Sequence, residues 1–190
     1  VKGAGNQPTV AMNNFEAALS EAAFMTGLER NADVVHQATY APLFAHVEGW
    51  QWRPDLIWFD NLRSVRSVNW YVQMLYGTNK GTNMLSLTEN GKPVEGNDGL
   101  YASAVYDKNA KCYIVKIVNA SDAAKDVNLT FNGAKTIKNG KVTILHADDS
   151  RATNTLDKPE NVIPQTSEIK VSGNAIAVTV PAKTFAVYKF

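Results

Sequence analysis

The 190-residue sequence predicts a mainly β protein, an antiparallel β-sandwich preceded by a helix–strand–helix segment. Three observations carry this expectation. From about Lys80 onward, short runs rich in Val, Ile, Thr and Tyr alternate with period two and are punctuated by turn residues. Ahead of Lys80, residues 13–30 are dominated by Ala, Leu, Met and Glu, with no proline, as a helix requires. Between them, Val34–Tyr40 reads as a short strand with apolar flanks, the pattern of a strand inside a parallel sheet. The change of grammar divides the chain into 1–79 and 80–190.

The elements follow in order. In "NNFEAALSEAAFMTGLER", Asn13 is placed to cap, with Glu16 three residues on completing a capping box. Phe15, Leu19, Ala22 and Ala23 form the buried stripe. Asn31 and Asp33 make a turn into the strand 34–40. A second helix, "VNWYVQMLYG", starts after Ser67 and stops at Gly77. Seven strand-like runs then appear: "TNMLSLT", "LYASAVYD", "CYIVKIVNA", "DVNLTF", "KVTILHA", "AIAVTV" and "TFAVYKF". Asn90-Gly91, Asn97-Asp98-Gly99, Asn132-Gly133, Asn139-Gly140 and Gly173-Asn174 separate them. Residues 106–113 form a hairpin tip, and the polar stretch 148–167, with Pro159 and Pro164, reads as a surface excursion. One strand and two helices cannot bury a parallel sheet, so the chain reads as starting partway through a domain.

Composition narrows the function classes. Apolar residues at 45% and charged residues at 19% suit a globular core and argue against disorder. A net charge of +1 with scattered lysines gives no bulk attraction to nucleic acid or anionic membrane. No apolar run reaches the roughly 18 residues of a membrane span. The single cysteine, Cys112, excludes a disulfide framework within the chain and reads as a small buried apolar residue. No phosphate loop, dinucleotide fingerprint, zinc-binding helix or nucleophile elbow occurs. His36, His46 and His146 lack ligand spacing, so neither a metal nor a cofactor is expected. Glu21 and Glu29 are assigned to the polar face of the first helix.

One segment departs from this plainness. "HVEGWQWRPDLIWFDN" (46–61) holds Trp50, Trp52 and Trp58, three of the four tryptophans, together with Glu48, Arg53, Asp55 and Asp60. Flat rings beside carboxylates and a guanidinium suit a sugar: rings for its C–H face, charged groups for its hydroxyls. A loop that plugs its own core accounts for the same residues equally well.

"NNFEAALSEAAFMTGLERNADVV", "YAPLFAHVEGWQWRPDLIWFDN" and "NWYVQMLYGTNKG" closely resemble the C-terminal region of α-L-arabinofuranosidases of glycoside hydrolase family 51. The resemblance is strong over residues 10–85 and looser through the closing "PAKTFAVYKF". It implies a (β/α)8 barrel followed by a β-sandwich, and a retaining enzyme, secreted or periplasmic, that removes arabinofuranosyl groups from plant polysaccharides and oligosaccharides. Two glutamates about 5 Å apart would do the work. Neither motif is present, so no catalytic residue is expected here and the chain alone is expected to be inactive. Residues 1–79 then correspond to the last helix–strand–helix of the barrel, with 34–40 as its eighth strand and the nucleophile lying just before the first residue. Active-site groups in such barrels sit at the C-terminal ends of strands and in the loops that follow. That places Tyr40, Trp50 and Trp52 as substrate-binding rim contacts. Pro42 stands where some relatives carry a sugar-contacting glutamine. Arg53 and Asp55 are expected to pair, Leu56, Ile57 and Phe59 to bury the loop's return, and Trp58 to plug the core.

The resemblance also exposes a physical problem. Phe15, Leu19, Val34, Val35, Leu43 and Phe44 would lose their barrel partners, so the segment is expected to fold back on the sandwich, to self-associate as a homo-oligomer, or to order poorly. The alternative to a piece of an enzyme is a non-catalytic β-sandwich module that binds carbohydrate through exposed aromatics. The sandwich offers Tyr101, Tyr106, Tyr113, Phe131, Phe185, Tyr188 and Phe190, but no tryptophan.

Overall fold

The computed structural model describes residues 13–51 and 53–190. Among the described residues, two α-helices and thirteen strands follow one another, with one short 3-10 helix at Asn97–Gly99. They are α1 (Phe15–Arg30), β1 (Phe44–His46), β2 (Ile57–Phe59), β3 (Ser64–Arg66), α2 (Val68–Thr78), β4 (Asn83–Leu85), β5 (Thr88–Glu89), β6 (Lys92–Pro93), β7 (Leu100–Asp107), β8 (Cys112–Asn119), β9 (Lys125–Thr130), β10 (Gly140–His146), β11 (Gln165–Ile169), β12 (Ala175–Val180) and β13 (Thr184–Lys189).

The scaffold is a six-stranded sheet in the order β11-β10-β13-β8-β7-β4, every pairing antiparallel. Its central strands read as alternation made physical. Ile114 and Val118 of β8, with Phe185 and Val187 of β13, point to one face; Val115, Ile117, Ala186 and Tyr188 point to the other. The second face is covered by the β9–β12 ribbon, through Ile176 and Val180, which makes the sandwich. The first face is covered by α1 and α2, through Phe15, Leu19, Val68, Val72 and Leu75. Each large aliphatic side chain buried in this way contributes roughly 1.5–3 kcal/mol.

The seven expected runs all become strands. Asn90-Gly91 joins β5 to β6 with both residues at positive φ, as the two-residue hairpin requires. Gly140 is needed for a different reason: a Cβ there would lie 2.0 Å from the Lys189 carbonyl oxygen. β11 was not expected. Its residues are exposed along four of five positions, so it has no alternating apolar face, and it enters the sheet as an edge through backbone pairing to β10.

Nor is 148–167 a mere surface excursion. The carbonyls of Ala152 and Ser150 accept from the Phe15 and Glu16 amides, at 2.8 Å each, and so satisfy the first turn of α1. Asn154 accepts from the Val162 amide and donates to the Arg66 and Val162 carbonyls, which fastens this loop to β3.

The helix start shifts by one residue. Asn14 caps α1, its side chain accepting from the Ala17 amide at 2.9 Å; Asn13 instead sits at φ 65° and turns inward. Ser67 caps α2 as expected, and α2 runs on to Thr78, where the Asn79 side chain donates to the Leu75 carbonyl.

The strand expected at 34–40 is absent. Residues 31–34 form turns, 35–40 have no regular structure, and Val34 is 70% exposed. A parallel strand needs ladders on its edges, and among the described residues none is offered here. A small sheet, β1-β2-β3, forms instead just downstream, with β1 and β2 parallel.

Of the outcomes foreseen for the first 80 residues, the fold-back is the one seen for the helices. Phe15 and Leu19 are buried, and the Tyr76 ring stacks on Phe185 at 5.4 Å. Val34, Leu43 and Phe44 remain exposed.

The polar assignment of Glu21 and Glu29 is corrected by the same docking. Glu29 accepts from Lys116 Nζ at 2.6 Å and from Ser103 Oγ at 2.5 Å. Lys116 and Ser103 are register partners on β8 and β7, and both are fully buried. Lys116 also donates to the Asn79 carbonyl and lies over the Tyr76 ring. Burial pulls its ammonium below the ordinary lysine range, against the pull of the Glu29 carboxylate. Next along α1, Arg30 donates to the Ala102 carbonyl at 2.9 Å. These charges fix the register of α1 on the sheet.

Candidate functional site

The site is assembled where α1, α2 and the segment 31–63, irregular apart from β1 and β2, meet. α1 contributes Glu21 on the turn facing α2. Its carboxylate accepts from the side-chain amides of Asn69 and Gln73, both on α2. Burial raises the Glu21 pKa, and these two amides oppose the rise. The Asn69 oxygen accepts from Asn13 Nδ2 at 3.3 Å, and the same nitrogen donates to the Tyr40 hydroxyl at 2.9 Å. Burial pushes the Tyr40 phenol up to about 12, with the Glu21 and Asp55 carboxylates adding to the rise and the Asn13 contact opposing it.

Asp55 lies at the start of the run into β2 and is 2% exposed. Its Oδ2 has no hydrogen-bond partner among the described residues, and its pKa is raised by burial despite the nearby Arg53 charge. The expected Arg53–Asp55 ion pair does not form. The guanidinium stacks instead, 4.5 Å from the Trp50 ring centroid and 4.9 Å from that of Trp58, while the two indoles meet edge to face at 6.3 Å. Trp58 is therefore half of a clamp around Arg53 and belongs to neither core; of this run, Leu56 is the buried apolar side chain, at 5% exposure. Ile57 and Phe59 are half-buried.

Of the three residues assigned to substrate, Tyr40 and Trp50 are both half-buried, and Trp52 lies outside the described residues. Tyr40 is tied to the Asn13–Asn69–Glu21 chain and Trp50 to the Arg53 clamp, with no hydrogen bond or ring contact between the two among the described residues.

The other acids of the loop are accounted for. Asp60 accepts from the Leu62 and Arg63 amides and from the Arg63 side chain, which hold its carboxyl below the usual range. Glu48 is exposed, its amide donating to His46 Nδ1. Cys112 is buried, its thiol pushed up by burial, as an inert core residue would be. No cluster of three or more metal-ligating side chains occurs among the described residues.

The sandwich's aromatics are half-buried or buried. Tyr106, Tyr113, Phe131, Phe190 and Tyr188 pack on one another in sequence, with neighbouring centroids 4.9–6.3 Å apart.

Comparison with known proteins decides the family. A family model described as the α-L-arabinofuranosidase C-terminal domain matches residues 4–184. The chain belongs to this family. Among curated relatives, α-L-arabinofuranosidase 1 of Arabidopsis thaliana is 30% identical over 90% of the chain, and the probable α-L-arabinofuranosidase A of Aspergillus terreus is 33% identical over 92%. An extracellular exo-α-L-arabinofuranosidase of Streptomyces chartreusis is 42% identical over 64% of the chain. The chain spans 25%, 26% and 15% of these three proteins, respectively. The arabinose-bound structure of the arabinofuranosidase MgGH51 superposes with a TM-score of 0.84 at 32% identity, covering 95% of this chain and 28% of that one. The arabinofuranosidase of Thermotoga maritima, at 16% identity and a TM-score of 0.75 over 93% of this chain and 38% of its own, shares the fold. The family's helix-docked sandwich is thus the scaffold on which the Tyr40 and Trp50 region sits. Among the described residues, no helix is long and apolar enough to cross a membrane.

Proposed function

We propose that this chain is the C-terminal part of a secreted or periplasmic, retaining α-L-arabinofuranosidase that releases terminal arabinofuranosyl residues from plant polysaccharides and oligosaccharides. Residues 1–79 close its catalytic barrel, and 80–190 form the accessory sandwich. The observation that carries this reading is a family match over nearly all of the chain, against relatives about four times as long. In the whole enzyme Tyr40, Trp50 and Trp52 line the rim of the sugar site.

On this reading the chain alone is inactive. A retaining glycosidase needs a nucleophile and an acid at fixed spacing across the bond. Asp60 is consumed by its turn, and Asp55 is enclosed without a second carboxylate hydrogen-bonded to it. Purified chain is expected to leave aryl α-L-arabinofuranosides intact. Turnover abolished by replacing Glu48 or Asp60 would overturn the assignment, and an intact natural protein no larger than this chain would remove its premise.

One observation favours a second reading, a carbohydrate-binding sandwich. A cleft of about 710 Å3 opens between β9 and the β4–β8 region, with Tyr113, Phe131 and Asn128 on its walls. Titration calorimetry of the chain with arabinoxylan oligosaccharides separates the two: heat of binding that survives loss of Tyr40 and Trp50 but not of Tyr113 would favour the module.

A further inference from the structure

We infer that Asn13 and Tyr40 together form a two-pronged site for a single sugar hydroxyl, its polarity imposed by Glu21 through Asn69. The inference rests on the functional reading above and deepens it.

Hydrogen-bond direction fixes which atoms face outward. A carboxylate offers only acceptors, so the side chain of Asn69 must turn its nitrogen toward Glu21. Gln73 does the same on the other oxygen, which holds the carboxylate in place. With its nitrogen committed, Asn69 presents its oxygen to Asn13, and Asn13 must answer with Nδ2. The second hydrogen of that nitrogen goes to the Tyr40 oxygen.

Two valences are left over. The Tyr40 hydroxyl hydrogen has no acceptor among the described residues, because its oxygen is receiving rather than giving in the one contact it makes. Asn13 Oδ1 has no donor among them either, although Asn13 is 2% exposed. A buried acceptor left bare costs about 1–3 kcal/mol. One free donor and one free acceptor thus remain on two side chains that a single hydrogen bond joins. A high phenol pKa keeps the donor in place at any physiological pH.

This pair selects its ligand by chemistry. A hydroxyl group donates and accepts at once, so one sugar hydroxyl satisfies both prongs. A carboxylate or phosphate only accepts; it would leave Asn13 Oδ1 bare and would face the charges of Glu21 and Asp55. An ammonium only donates and would leave the Tyr40 hydrogen unmet. Glu21 and Asn69 are positioning residues, since they touch no ligand and set which atoms face it.

The test uses the intact natural protein that contains this chain, assayed on an aryl α-L-arabinofuranoside and on its 2-, 3- and 5-deoxy analogues. Tyr40→Phe is expected to lower kcat/KM on the parent sugar about tenfold, the size of one hydrogen bond. With one of the analogues the two losses should not multiply: Tyr40→Phe should cost less than twofold there, because the hydroxyl it served is gone. Glu21→Gln, which lets Asn69 turn its oxygen around, should weaken the same coupling while leaving the fold intact by circular dichroism. An active enzyme in which the losses multiply for all three analogues overturns the inference and leaves the functional reading standing. An intact protein inactive on every arabinofuranoside overturns both.

Discussion

The face of α1 that meets the sheet and the segment 31–63 beside it solve burial in opposite ways. At the docked face every buried charge has designated partners: Lys116 has Glu29 and the Asn79 carbonyl, and Glu29 has Lys116 and Ser103. In and beside the irregular segment, three buried polar atoms lack partners among the described residues, Asn13 Oδ1, Arg53 Nε and Asp55 Oδ2. Large apolar side chains there face solvent, Val34, Phe44 and Leu62 at 70%, 59% and 94% exposure. A satisfied interface is built to hold the chain together. Bare polar atoms next to exposed apolar ones mark a surface built to meet something else.

The comparison predicts where substitutions will be felt. Phe185→Ala removes a fully buried ring stacked on Tyr76 and should cost about 3–5 kcal/mol in denaturant unfolding. A loss under about 1 kcal/mol would mean that the helices do not share the core.

Glu29→Ala strands the Lys116 ammonium and should cost about 3–5 kcal/mol, most of it recovered when Lys116→Met is added. The same pair gives a pH signature. Burial lowers the folded-state pKa of Lys116, whereas the unfolded chain holds that proton up to its ordinary value of 10.5. Between those two values the unfolded state binds more protons, so stability rises with pH across that alkaline window. Lys116→Met should remove that rise, and an unchanged slope in the variant would contradict the assignment.

Asn14→Ala and Ser67→Ala each delete a helix cap and should cost about 1 kcal/mol. Asn13→Ala should not behave as a cap deletion, since Asn13 caps nothing. Smallest of all, Trp58→Ala should change global stability by less than about 1 kcal/mol, because it dismantles only the clamp on Arg53. A cost like that of Phe185→Ala would return Trp58 to the core.

How much of this was legible follows from the range of each interaction. Period-two alternation located seven strands because burial on one face acts residue by residue. β11 escaped because "QTSEI" buries almost nothing and is held by backbone pairing. The strand expected at 34–40 failed for the converse reason: its apolar pattern is local, but a ladder needs neighbours.

Glu29 was hidden by its place on a helix, yet a signal existed in Lys116, a lone cation inside the apolar run "CYIVKIVNA", which must find an acid somewhere. For the site, Tyr40 is assigned only from its place at the C-terminal end of the expected strand 34–40, which does not form. Asn13 reads as a cap from the sequence, and nothing local shows otherwise. Its amide direction depends on Asn69, 56 residues away, and on Glu21 beyond it.

Amide hydrogen exchange along the chain tests the central contrast most directly. α1 and α2 should exchange together with β8 and β13, at the free energy of global unfolding, while amides of 31–43, 47–51 and 53–55 exchange far faster. Protection of 31–43 equal to that of β8 would show that this segment folds on its own account. Exchange of α1 orders of magnitude faster than β8 would show that the helices are not part of the sandwich core.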